Sequence, residues 1–186
     1  MISFVVNLFL NVSFKIKING VENVPSDGGI VLCANHLSNF DPVVLKLRFP
    51  RNINFMAKKE LFSNIFLSYI LKKFDAFEVD RAKNDLNAYR TAMNILKSSK
   101  VLGIFIQGTR KTDIDTAKNG AAMFAVKSGT PVVPVGIKAS YKFFSEININ
   151  IGQPIYFNEI NKTSKLDKET LESITQKISD AIKNLI

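Results

Sequence analysis

His36 is the only histidine in the 186 residues, and it stands in a short polar stretch, Asn35-His36-Leu37-Ser38-Asn39-Phe40-Asp41-Pro42. Asp41 follows it by five positions. On a continuous helix, residues five apart point about 140° away from each other, so the pair meets only across a loop or a tight turn. Asp41-Pro42 also reads as the start of a helix, because Asp caps helix N-termini and Pro suits the first helical position. The two roles are compatible, since a carboxylate has two oxygens. An Asp bonded to one imidazole nitrogen fixes the tautomer and leaves the other nitrogen to accept a proton from a hydroxyl. No serine or cysteine of the nucleophile-elbow type is present, and the single cysteine, Cys33, lies in an apolar run and reads as core. A His–Asp pair without a protein nucleophile points to direct attack by a substrate's own hydroxyl.

Two further stretches carry groups suited to phosphate. Val79-Asp80-Arg81 offers one arginine, and Gln107-Gly108-Thr109-Arg110 offers another beside a hydroxyl and a glycine. The glycine lets the backbone approach a ligand closely, and the guanidinium is a planar fork matched to phosphate oxygens. Either arginine alone reads as a surface residue. Their shared position after apolar runs favours a phosphate site.

These groups are placed by an alternation of strand-like and helix-like segments. Apolar runs suited to buried strands are Ile30–Ala34, Ile53–Ala57, Ala76–Val79, Val101–Ile106 and Val132–Ile137, and Ile147–Ile151 alternates as a later strand would. Helical periodicity covers Val43–Phe49, Leu61–Lys73, Asp85–Lys97, Ala121–Ser128 and Lys168–Leu185. Such alternation predicts an α/β domain over residues 15–186, with a largely parallel mixed sheet flanked by helices. Ligands of open α/β sheets bind beyond the carboxyl ends of the strands. His36, Arg81 and Arg110 all follow strand-like runs, so the pattern puts them at one sheet edge.

Residues 1–14 are strongly apolar, with Ser3, Asn7 and Asn11 forming one narrow polar stripe on a helix. Fourteen helical residues span roughly 21 Å, short of the ~30 Å hydrocarbon core of a bilayer. The segment reads either as a core-packed helix or as one lying in a membrane surface. Leu61–Phe74 repeats the pattern, with Asn64, Ser68 and Lys72 at four-residue spacing.

Composition narrows the classes. Apolar residues make up 46% and charged residues 22%, a globular balance. One cysteine and one histidine exclude an internal disulfide, a cysteine-based zinc site and any mechanism needing two histidines. The net charge is +9, from 25 Lys and Arg against 16 Asp and Glu. That excess suits an anionic membrane surface or a phosphorylated substrate, beside the plain reading of a lysine-rich solvated surface. Nucleic acid is not an expected partner, because zinc-finger spacing, RNA-binding aromatic signatures and basic blocks interleaved with aromatics are missing. The N-terminus does not read as a signal peptide, so a reducing cytoplasmic setting is expected.

Taken together, four ordered motifs resemble those of the glycerolipid acyltransferases, the PlsC-like class. NHLSNFD resembles the first motif, N-H-x-S-x-x-D. FEVDR, residues 77–81, resembles the second, and IFIQGTRK, residues 104–111, the third, F-P-E-G-T-R-S. VPVGI, residues 133–137, resembles the fourth, V-P-V-x-I. The resemblance runs from about Lys15 to Ile155. It implies transfer of a fatty acyl group from a thioester to the hydroxyl of a lysophospholipid, 1-acylglycerol 3-phosphate above all, without an acyl-enzyme. It implies His36 as general base, Asp41 as its orienter, and Lys58, Arg81, Gln107, Gly108, Thr109 and Arg110 as substrate-binding residues. It implies no metal and no resident cofactor, with acyl-CoA or acyl-carrier protein as co-substrate. The N-terminal segment resembles a membrane-docking helix, which implies a peripheral or monotopic enzyme on the cytoplasmic face of the cell membrane.

The chain departs from the family pattern at Gln107, where Glu is usual, at Ile106 for Pro, at Lys111 for Ser, and at Asp75 for a Gly upstream of the second motif. These departures leave two alternatives: an acyltransferase for another lysolipid, or a catalytically weakened membrane-binding protein on the same scaffold.

Overall fold

The run Ile30–Ala34 is apolar throughout because it faces two cores. As strand β2 it is buried at all five positions. Ile30, Leu32 and Ala34 pack on one side with Leu45, Phe49 and Phe55. Val31 and Cys33 pack on the other with Ala92, Leu102 and Ile178. A strand covered on both faces reads as a continuous apolar run rather than an alternating one.

The computed structural model describes residues 2–80, 85–108, 117–160 and 166–186. Around β2 the described strands are β1 (Lys15–Asn19), β3 (Ile53–Lys58), β4 (Phe77–Val79), β5 (Val101–Phe105), β6 (Val132–Ala139) and β7 (Glu146–Ile151). They form one sheet in the order β1-β7-β6-β2-β5-β3-β4. All neighbours pair in parallel except β6 and β7, which are antiparallel. The sheet is therefore mixed and mostly parallel, and helices flank it. The described helices are α1 (Ile2–Ser13), α2 (Asp41–Arg48), α3 (Ile65–Lys73), α4 (Leu86–Lys97), α5 (Gly120–Ser128) and α6 (Lys168–Lys183). Residues of α1 and α2 lie in the first core, and those of α4, α5 and α6 in the second.

Several boundaries differ from expectation for identifiable reasons. A strand at Lys15–Asn19 was not expected. It is an edge strand of alternating Lys and Ile, with Ile16 and Ile18 against the first core and Lys17 paired to Glu146 at 2.8 Å. The helix expected over Leu61–Lys73 begins at Ile65, where Asn64 accepts a hydrogen bond from the Leu67 N–H at 3.0 Å and caps it. Residues Lys59–Phe62 form a separate 3-10 turn.

Helix α1 is oriented opposite to the usual amphipathic rule. Its polar stripe faces the protein: Arg48 of α2 donates to Asn7 Oδ1 at 2.7 Å and to Asn11 Oδ1. Leu10 enters the first core and Phe14, just past the helix, joins it. Phe4, Val5, Leu8, Phe9 and Val12 face outward, Phe4 at 72% exposure. Helix α3 likewise exposes Ile65, Phe66 and Tyr69. No described helix is long and apolar enough to cross a membrane.

Candidate active site

The chain leaves β2 at Ala34 and enters an irregular loop. Asn35 fixes its start: the buried amide donates to Ile137 O at 2.8 Å and accepts from Ile137 N at 2.7 Å. The side chain thus bonds β6 as one more residue of the ladder would. His36 follows at the carboxyl edge of the central strand.

Residues 37–40 are not helical, and this lets His36 and Asp41 meet. His36 Nδ1 lies 2.7 Å from Asp41 Oδ2, with the imidazole 16% exposed and the carboxylate fully buried. The same Oδ2 accepts the Leu37 N–H at 2.6 Å and the Ser38 N–H at 2.7 Å. Oδ1 accepts the hydroxyl of Tyr141. Asp41 is the first residue of α2, with Pro42 beside it, and its side chain caps no amide of its own helix. The cap reading of Asp41 is thereby replaced: its carboxylate organises the loop that precedes the helix. Because Asp41 occupies Nδ1, Nε2 is the nitrogen left to face a substrate hydroxyl.

The ring is held from below as well as from the side. His36 stacks on Phe105 at 4.0 Å between centroids and 15° between planes, and Phe105 stacks on Phe55 at 5.5 Å and 5°. Gly103 makes room for this column, since a Cβ there would sit 2.5 Å from the Phe55 ring. Gln107, at the end of the β5 run, is buried, and its Oε1 accepts the His36 N–H at 2.8 Å. Its oxygen thus binds the backbone of the proposed base. Gly108 turns the chain at φ +70°, a conformation that favours glycine.

The remaining expected site residues are distributed differently. Lys58 ends β3, half-exposed, with its ammonium 3.0 Å from Glu60 Oε1. Arg81, Thr109 and Arg110 lie outside the described residues. Cys33 is fully buried, and burial pushes its thiol far above the ordinary range, which makes it core and not nucleophile. Tyr141 is the site residue that sequence reasoning missed. It lies 100 positions from Asp41 in a loop after β6, and no local signal marks it.

A pair at the carboxyl edge of a mostly parallel sheet, with the imidazole held by a buried carboxylate, has the geometry that general-base chemistry requires. The acyltransferase family model matches residues 15–138, and the chain belongs to that family of enzymes. It is 31% identical over 184 residues to the 1-acyl-sn-glycerol-3-phosphate acyltransferase of Bacillus subtilis, spanning 96% of this chain and 92% of the relative. It is 29% identical over 170 residues to the 1-acyl-sn-glycerol-3-phosphate acyltransferase of Borreliella burgdorferi, spanning 86% of this chain and 68% of that relative. The crystal structure of the 1-acyl-sn-glycerophosphate acyltransferase PlsC from Thermotoga maritima superposes with a TM-score of 0.69 at 25% identity, covering 98% of this chain and 76% of that one.

Proposed function

We propose that this chain acylates 1-acylglycerol 3-phosphate at a membrane surface, taking the acyl group from acyl-CoA or acyl-carrier protein and giving phosphatidic acid. The observation that carries the reading is the 2.7 Å bond between His36 Nδ1 and Asp41 Oδ2 at the end of β2. Nε2 takes the proton of the acceptor hydroxyl as its oxygen attacks the thioester carbonyl carbon. The tetrahedral adduct collapses, the C–S bond breaks, and the imidazolium returns the proton to the leaving thiolate. Asp41 stabilises the imidazolium in between. The choice of acceptor is supported by the names of the relatives above.

Arg81, Thr109 and Arg110 bind the acceptor phosphate in this reading, with Lys58 as a further cation at the same edge. Gln107 keeps the acceptor oxygen that the His36 amide uses, which favours an active enzyme over a weakened membrane-binding protein. Docking rests on α1, whose outward face is apolar and whose polar stripe is already occupied by Arg48. With the net charge of +9, that face suits a peripheral seat on an anionic bilayer.

The test is transfer of a labelled acyl chain by purified protein to lysophosphatidic acid, with both thioester carriers. His36→Ala is expected to lower turnover by about 10²–10⁴-fold. A variant that keeps most of its turnover would refute the mechanism.

A further inference from the structure

Asp41 Oδ2 has three partners, His36 Nδ1 and the amides of Leu37 and Ser38, whereas Oδ1 has the Tyr141 hydroxyl. Three donors gathered on one oxygen fix where that oxygen lies. They leave the plane of the carboxylate free to turn about it, and a donor on the second oxygen removes that freedom. We infer that Tyr141 is a positioning residue for acyl transfer: its hydroxyl locks the Asp41 carboxylate, and through it the orientation and tautomer of the His36 imidazole.

The surroundings of Tyr141 support more than packing. Its backbone sits at φ +54°, which a tyrosine rarely adopts, and such outliers gather at functional sites. The loop is tied at its far end, where Phe144 N donates to Ser13 O at 2.7 Å and Lys15 N to Ser145 O at 3.0 Å. The Tyr141 ring stacks on Phe40 at 6.0 Å and meets Phe14 edge-on at 5.9 Å. Burial, and then the neighbouring carboxylate, push the phenol far above its ordinary range, so it remains a donor at every working pH. Among the described residues, the other groups on the pair are Gln107, at the His36 amide, and Phe105, under the ring. No described lysine, arginine or second carboxylate bonds to either side chain.

The inference rests on the proposed role of His36, and the experiment separates the two. His36 is the sole histidine, so histidine-selective 15N labelling of the full chain yields one imidazole whose tautomer and titration are read directly. Tyr141→Phe removes the hydroxyl. It is expected to lower kcat by about 10- to 100-fold, the effect of losing a hydrogen bond to a charged group, with acceptor KM within about twofold. The carboxylate, relieved of a donor, becomes a stronger partner for the imidazolium, so the imidazole titration moves up and the neutral ring loses its single tautomer. A fluorotyrosine at 141 keeps the shape and strengthens the donor, and is expected to move the titration down. This second variant decides the matter if Tyr141→Phe does not fold. An unchanged kcat, or an imidazole spectrum insensitive to both replacements, overturns the role of Tyr141. An active His36→Ala overturns instead the reading beneath it.

Discussion

At the scale of single residues, the site is a question of where hydrogen-bond donors point. Asp41 is fully buried and accepts four of them, so its charge is stabilised by N–H and O–H groups rather than by water. This permits a clean separation of charge from shape. In Asp41→Asn the amide oxygen can take the place of Oδ2 toward the three N–H donors. The new NH2 then donates to the Tyr141 oxygen, whose hydroxyl can turn. The variant is expected to melt within about 1 kcal/mol of the parent. It is also expected to lose about 10²–10⁴-fold in turnover, because the imidazolium has lost its counter-charge. Thermal melting and steady-state rates on one preparation check both. Parental turnover would reduce Asp41 to a loop-former.

At the scale of elements, the departure at Asp75 has a structural account. Helix α3 ends with Ala76 N bonded to Leu71 O at 2.9 Å and Asp75 N to Lys72 O at 3.1 Å, a Schellman ending that puts Asp75 at φ +54°. Glycine is the usual residue there. Asp tolerates the conformation and adds bonds from Lys46 at 2.7 Å and Asn52 at 3.1 Å. Partial burial acts to raise the Asp75 carboxyl, but these bonds and the charge of Lys46 outweigh it and hold it below its ordinary value. The added stability is present above the unfolded carboxyl pKa and is lost as pH falls through the depressed folded value. Asp75→Gly gives up the ion pair and relieves the backbone, effects of about 1 kcal/mol each. Its melting point is therefore expected near the parent's at neutral pH and above it in acid. A variant that loses stability in acid in parallel with the parent would remove Asp75 from the pH response.

At the scale of the whole molecule, apolar surface and positive charge are available together. Phe4, Leu8 and Val12 form an outward stripe on α1, and Phe143 and Phe144 are exposed in the loop that carries Tyr141. Phe14 joins the two, stacking within 6.5 Å of Phe143. Removing α1 outright would also strip Leu10 from the core and Asn7 and Asn11 from Arg48. Substituting exposed positions is therefore the sharper test. Phe4→Ser with Leu8→Ser is expected to weaken binding to anionic vesicles by about tenfold or more, given the apolar area withdrawn, and to leave melting unchanged. High salt is expected to weaken binding of the parent by screening its lysines. Unchanged co-sedimentation of the double variant would leave the stripe without a lipid role.

What the sequence determined is what local pattern controls. Four strands of the sheet interior, β2, β3, β5 and β6, were legible because they are apolar runs bounded by polar turns. Strand β4, expected as a buried strand, is a half-buried edge strand with Glu78 exposed, because only β3 pairs with it. The sheet edge holding His36 followed from where those runs stop. The His36–Asp41 contact was legible as a condition, that the intervening residues not be helical, because five positions of helix cannot bring the two together. The edge strand β1 was not, since five residues of alternating Lys and Ile carry too little burial to mark a strand until β7 supplies the partner. Nor was the outward face of α1. An apolar helix with a polar stripe has two solutions, and the positions of Arg48 and of the core around Leu10 selected the one that turns the stripe inward. Gln107 under the His36 amide and Tyr141 on Asp41 lie 71 and 100 positions from their partners. A single hydrogen bond across such a distance leaves no periodicity, composition or spacing behind. It exists only once parallel pairing brings the carboxyl ends of β2, β5 and β6 to one edge.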